Sequence, residues 1–331
     1  MALTIYDIAQ KAGVSITTVS RVLNKKGEVS EKTKQHIQNI LDEYGYSPSQ
    51  LARGLASKTT KTIGIMSVDI RDNHHANIVY EVERAMSQYG YSAIVCNLGG
   101  KKKRFGDYLE MLVTRQVDGI VFVGSIFADP DCRKQIEDKG IDFPCAIVNA
   151  LLPHPNFACV LTSEEAAYVE AVNYLVRERG RKKLVLIFDE DTVSEKRKRQ
   201  GYREGMRRNG LENEITEYSI SSELDGVSAA TKELMRMAPR TDALIYTKDL
   251  LAVTGMYALL EMGYEVPKDV SVMGINNSIY AQLSRPSLTS IDNRAKESGA
   301  AAANLLKRLL DGETLLDPCV IPCQLVIRES T

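Results

Sequence analysis

The stretch TIYDIAQKAGVSITTVSRVLN, residues 4–24, reads as two short helices and the turn between them. Thr4 carries the short hydroxyl side chain that caps a helix, and Ile5, Ile8, Ala9 and Ala12 then recur on one face. Gly13 supplies the stop. Ser15 can cap the next segment, along which Val19, Val22 and Leu23 fall on one side and Ile16, Thr17, Ser20 and Arg21 on the other. From Ser30 a third helix is expected, with Ile37, Ile40, Leu41 and Tyr44 as its apolar stripe. So short a glycine-containing turn gives helix-turn-helix spacing. The polar side of the second helix suits the major groove, where Arg21 could read guanine O6 and N7, and Thr17 or Ile16 could meet a thymine methyl. The competing reading is ordinary solvated surface on a three-helix bundle.

The next segment, SPSQLARGLASKTTKTIG from residue 47, opens with a cap and first-turn pair, Ser47 and Pro48. It carries Arg53, Lys58 and Lys61 with no acidic residue, and Leu55 has no apolar partner nearby in sequence. A helix of about ten residues is marginal alone in water. Either this is a flexible linker, or it is a helix that forms on a phosphate-lined surface with Leu55 wedged between base steps. From Thr62 the pattern changes. TIGIMSV, YSAIVCN, DGIVFVG and CAIVNA are short apolar runs separated by helical stretches, and the alternation restarts after about residue 162 with KKLVLIF. Apolar strands separated by helices of ten or more residues indicate parallel sheets covered on both faces. Two similar α/β units are expected, with a small-molecule cleft between them at the carboxyl ends of the strands.

Charge follows the same division. Residues 1–61 hold nine Lys/Arg and five Asp/Glu, a balance of +4, while the whole chain of 331 residues has a formal net charge of -1. A basic head on a mildly acidic body suggests that one end meets a polyanion. No run of 18 apolar residues and no secretory signal pattern is present, so a cytoplasmic protein without a membrane partner is expected. The six cysteines are scattered, and CVIPC at 319–323 has the wrong spacing for a CxxC pair, its alternation reading better as a strand. Reduced thiols, no metal and no cofactor are the expectation. Neither GxGxxG after the first strand nor GxxxxGK[ST] nor GxSxG occurs, so an enzyme is not supported. His74 and His75 follow the first strand, where a ligand loop would lie. KKKR at 101–104 and EKRKRQ at 195–200 read most simply as solvated surface, and otherwise as sites for an anionic effector or partner.

With these pieces placed, TIYDIAQKAGVSITTVSRVLN, VSEKTKQHIQNILDEYGYSPSQLARGLAS and TKTIGI resemble the head and hinge of the LacI/GalR family of bacterial transcription regulators, and RQVDGIVF, VPKDVSVMGINN and RPSLTSI continue the likeness along nearly the whole chain. The resemblance implies an N-terminal helix-turn-helix three-helix head with a hinge helix, then a periplasmic-binding-protein-like body of two doubly wound α/β subdomains. The resulting division is 1–46 for the head, 47–61 for the hinge, 62–161 with 292–318 for one subdomain, and 162–291 with 319–331 for the other. It implies a homodimer, sometimes a tetramer, on double-stranded DNA with a pseudo-palindromic operator. Carried over by position, Ile16, Thr17 and Arg21 face the bases, Thr4, Ser15, Ser20 and Asn24 support backbone contacts, and Ala52 and Leu55 enter the minor groove.

The same resemblance puts effector contacts at Asp72, His74, His75, Asn149, Lys198, Asp249 and Asn276. Here the chain departs from the family pattern. Asp72-Asn73-His74-His75 replaces an Asn-Pro-aromatic-aromatic run, Lys198 replaces an arginine, and Asn276 replaces an aspartate. Asp249 keeps its aspartate, though Lys248 replaces the asparagine before it, and CVLTSEEA lacks the aspartate common after that strand. The implied function is a repressor of a carbohydrate-related operon, switched by a small effector such as a sugar or sugar phosphate. The alternatives are a regulator controlled by a protein co-regulator, or one without an effector whose body serves for dimerisation.

Overall fold

A computed structural model describes residues 4–23, 27–45, 59–100 and 102–331. They form two compact units, Met1–Lys61 and Thr62–Thr331. In the first, the three helices are α1 (Ile5–Ala12), α2 (Ile16–Leu23) and α3 (Glu31–Glu43). Thr4 and Asp7 form a reciprocal capping box at the start of α1, and Gly13 ends that helix in the left-handed conformation at φ 63°. Ser15 accepts the Thr18 amide at 3.1 Å, and Ser30 accepts the Thr33 amide at 3.2 Å. Ile8, Val19 and Ile37, one from each helix, are wholly buried together. Tyr44 departs from its expected place in the stripe. It lies one residue past the end of α3, is 42% exposed, and stacks under the Lys11 ammonium at 4.2 Å.

The second unit contains two six-stranded sheets. The first half runs β1 (Thr62–Ser67), α4 (Asn73–Gln88), β2 (Ser92–Asn97), α5 (Phe105–Thr114), β3 (Gly119–Val123), α6 (Pro130–Asp138), β4 (Cys145–Val148) and β5 (Phe157–Thr162). The second half repeats the plan with α7 (Glu164–Arg177), β6 (Leu184–Phe188), α8 (Val193–Arg208), β7 (Thr216–Ser219), α9 (Leu224–Met237), β8 (Ala243–Tyr246), α10 (Asp249–Glu261), β9 (Ser271–Ile275), α11 (Ile279–Leu283) and β10 (Thr289–Asp292). Then α12 (Ala295–Leu310) returns to the first half, followed by β11 (Cys319–Ile321) and β12 (Gln324–Val326). The strand orders are β11-β5-β4-β3-β1-β2 and β12-β10-β9-β8-β6-β7. All pairings are parallel except β10 with β12. Each sheet has a separate apolar cluster on either face, which is why its central strands read as continuous apolar runs.

The chain changes lobe after β5, after β10 and after β11. The last change corrects the boundary drawn at 318/319. Cys319 pairs with Val160 and Ile321 with Thr162 in the first sheet, so CVIPC is no single strand but the crossing itself. Its alternation is real. Only Cys319–Ile321 lie in a strand, Pro322 and Cys323 lead to β12 in the other sheet, and a period of two does not reveal the break.

Candidate nucleic-acid interface and ligand cleft

α2 is amphipathic in the manner its spacing predicts. Val19 is buried, Val22 and Leu23 are half-buried, and Ile16 (39%), Thr17 and Arg21 are exposed. An exposed isoleucine beside a threonine and an arginine, on a helix pinned from its other face, can offer methyl groups and a guanidinium to base edges. Thr4 donates its hydroxyl to Asp7 Oδ2 at 2.7 Å, and Ser15 Oγ lies 2.8 Å from Thr18 Oγ1 while capping α2. Both hydroxyls therefore fix helix starts. Ser20 is half-buried. Asn24, Ala52 and Leu55 lie outside the described residues, as do Ser47, Pro48, Arg53, Lys58 and Lys101.

In the second unit, the strand ends of both sheets converge on a cavity of about 480 Å³. Val68 follows β1, Gly124 follows β3, Asn149 follows β4, Lys248 lies two residues beyond β8, and Asn276 follows β9. Asn149 (φ 66°) and Asn276 (φ 101°) both have left-handed backbone, which asparagine tolerates better than most residues. Asp72, His74, His75, Asn149, Lys198 and Asn276 line this cavity; Asp249 lines an adjoining recess. Six of the seven positions carried over by resemblance thus surround one space.

The histidine pair does not sit on a loop. It occupies the first turn of α4, where Asp72 caps the helix by accepting the His74 and His75 amides at 2.8 and 3.3 Å. Among the described residues neither ring nitrogen of His74 has a hydrogen-bond partner, nor has His75 Nδ1. Burial holds the His74 imidazole down to about 4, with His75 adding to the effect, and burial also lowers His75. Both rings are therefore neutral at pH 7.

EKRKRQ is only partly the solvated patch expected of it. It lies on α8, and the helical period turns Glu195 and Lys198 inward, where both are buried. Lys198 Nζ reaches Glu195 Oε1 at 2.6 Å and the Thr247 carbonyl at 3.3 Å. Burial works against the Lys198 charge, but Glu195 and Glu164 outweigh it and hold the ammonium pKa above its ordinary value. Burial raises the Glu195 carboxyl, with Lys198 opposing. In KKKR, Lys102 pairs with Asp129 at 2.7 Å on the cleft rim. Asp249 is less a ligand contact than a brace: its carboxylate accepts the Ser278 amide at 2.7 Å, the Ser278 hydroxyl at 2.8 Å and the Ser290 hydroxyl at 2.6 Å. Burial still pushes that carboxyl up to about 6.

Sequence reasoning missed Glu164. The absent aspartate after β5 drew attention away from the first residue of α7, whose buried carboxylate takes bonds from Ser194 Oγ (2.6 Å), Arg197 Nη2 (3.0 Å) and Asn293 Nδ2 (3.3 Å). Arg197 Nη2 also donates to the Asn149 carbonyl at 2.8 Å, and the Ser194 amide donates to Ser125 Oγ at 3.3 Å. These last two bonds join the lobes across the cleft. Two glutamates directly after an apolar run were the available signal.

Among the described residues no group of three or more His, Cys, Asp or Glu side chains is placed to hold a metal ion, and no helix is long and apolar enough to cross a membrane. Residues 4–49 match the family described as bacterial regulatory proteins, lacI family, and residues 172–331 match the periplasmic binding protein-like domain. An HTH-type transcriptional regulator of Lachnoclostridium phytofermentans is 34% identical over 99% of this chain and 99% of its own. A solved structure titled transcriptional regulator CelR-cellobiose complex is 26% identical, with a TM-score of 0.73 over 99% of this chain and 100% of that one. The Lac repressor dimer bound to operator and an anti-inducer has the same fold, at 24% identity and a TM-score of 0.89 over 100% of this chain and 99% of that one.

Proposed function

The chain belongs to the lacI family of bacterial regulatory proteins, the LacI/GalR regulators, and from that premise we propose that it is a homodimeric, effector-controlled repressor of a carbohydrate-related operon. It is a sequence-specific DNA-binding regulator and not an enzyme. In this reading α2 enters the major groove of each half of a pseudo-palindromic operator, in the cytoplasm. Arg21 meets a guanine, and Thr17 and Ile16 meet a neighbouring methyl-bearing base. Ser20 and Asn24 approach the phosphates, while Thr4 and Ser15 act by setting the helix starts. Ala52 and Leu55 open the minor groove, so the sequence of uncontacted central steps matters through the cost of bending.

The single observation that carries the reading is that one chain has both an exposed polar face on a firmly seated second helix and a separate hydrogen-bonding cleft of about 480 Å³. A cleft of this size suits a small molecule. The cellobiose named for the 26% identical relative supports a carbohydrate class of effector. His74, His75, Asn149 and Asn276 would contact it, Lys198 and Asp72 would set their surroundings, and Asp249 would hold the wall. The test is Leu55→Ala in operator titrations. Specific binding should weaken much more than binding to random duplex; equal losses on both would remove the wedge from the mechanism.

A further inference from the structure

If the cleft is the ligand site proposed above, its lining sets the charge of what it takes. Six carboxylates line it, from Asp72, Asp129, Glu164, Glu190, Asp191 and Glu195, against the four ammonium groups of Lys102, Lys196, Lys198 and Lys248. Every one of these cations is already engaged. Lys102 holds Asp129 at 2.7 Å, Lys196 holds Asp191 at 3.4 Å and Lys198 holds Glu195 at 2.6 Å. Lys248 bridges Asp189 and Glu190 at 2.7 Å each. Among the described lining residues no cation is left for a phosphate, and an entering anion meets an excess of negative charge.

The unsatisfied polar atoms point the same way. Glu195 is 2% exposed, and among the described residues its Oε2 makes no hydrogen bond of normal geometry, although the Thr247 hydroxyl favours the carboxylate. His74, 6% exposed, has one ring nitrogen to donate and one to accept, both without partners among the described residues. A hydroxyl serves both needs of the imidazole. An ammonium supplies the carboxylate with charge-assisted donors. Among the described residues no phenylalanine, tyrosine or tryptophan lines this cavity, so polar contacts carry recognition there; Tyr280 stands on the adjoining recess.

We propose that the cleft selects a small polyhydroxylated ligand bearing a protonated amine, with the ammonium on Glu195 and a hydroxyl on His74, and rejects the phosphate ester of the same skeleton. Calorimetry on the purified full chain tests this with glucosamine, galactosamine and mannosamine, their hydroxyl parents, and the parents' 6-phosphates. At least one amino sugar should bind about tenfold tighter than its parent, and the phosphates should give no heat. Equal affinity of parent and amine, binding of a phosphate, or silence from all three amines overturns the proposal. Glu195→Gln should abolish the amine preference, read as the ratio of amine to parent affinity in the same variant; a variant that retains the preference also overturns it. The wild-type panel decides the matter alone if that variant does not fold. Duplex binding by the same preparation keeps the two readings apart, since specific DNA binding without an amine response sinks only the ligand class.

Discussion

Arg21 stands out on α2 because it is the one cation on the exposed face of that helix, close to its C-terminal end. A bidentate guanidinium on guanine contributes about 1–3 kcal/mol of discrimination, so Arg21→Ala should relax preference at one symmetric position in each half-site. A uniform loss across all sequences would mean that it contacts phosphate instead. His74 gives a prediction in the body. Its imidazole is held at about 4 against an ordinary 6.5, so its neutral form contributes stability that is present above pH 6.5 and lost as the pH falls toward 4. Asp249 opposes it: raised from 3.8 to about 6, its protonated form contributes stability that is full below pH 3.8 and lost as the pH rises through 6. In His74→Gln only the second effect of this pair remains. Melting temperatures between about pH 7 and pH 4.5 should therefore decline less in the variant than in the wild type, and parallel declines would contradict the assignment. At this scale the sequence was legible where spacing governs. Ile8, Val19 and Ile37 sit where their periodicity puts them. The inward turn of Lys198 was not legible, because a charge count along EKRKRQ says nothing of which side of a helix each charge takes.

Among the elements, the pairing of α7 with α8 matters most to the cleft, because it sets Glu164 beside Arg197. Gly201 makes their approach feasible. A Cβ there would lie 2.2 Å from the Glu165 carbonyl oxygen and 2.9 Å from Tyr168 Cβ, neither of which can swing aside. Gly201→Ala gains about 1 kcal/mol of helix propensity but incurs roughly 1–3 kcal/mol of overpacking, with backbone clashes at the upper end. The variant should melt a few degrees lower, and the Glu164–Arg197 contact should loosen. Unchanged stability in urea would show that the helices separate without penalty. Element identity was legible because buried parallel strands are apolar on both faces and the intervening helices exceed ten residues. Two junctions escaped. The histidine pair looked like loop because it directly follows the DIRDN turn, whereas Asp72 caps a helix that already contains both rings. CVIPC looked like one strand because alternation continues across its crossing between sheets.

In the whole molecule, the two sheets share one strand plan, and three crossings tie the lobes together. Duplication of this kind was visible in the restart near residue 162, but the return of β11 to the first sheet was not, since a three-residue strand carries too little pattern to show its partner. A cleft bridged by Arg197 to Asn149 and by Ser194 to Ser125 has contacts that a ligand can strengthen or displace. Control of DNA by that cleft requires reciprocal coupling, in which ligand changes operator affinity by the factor that operator changes ligand affinity, commonly about 5–150-fold. All of this presupposes that the chain reads DNA sequence. The most direct measurement is selection of duplexes from a random pool by the purified full-length protein, followed by footprinting of the winner. A single two-fold symmetric site should emerge, protected on both halves, with its preference at one base pair per half-site lost in Arg21→Ala. A pool that stays random, or protection without symmetry, would contradict the account.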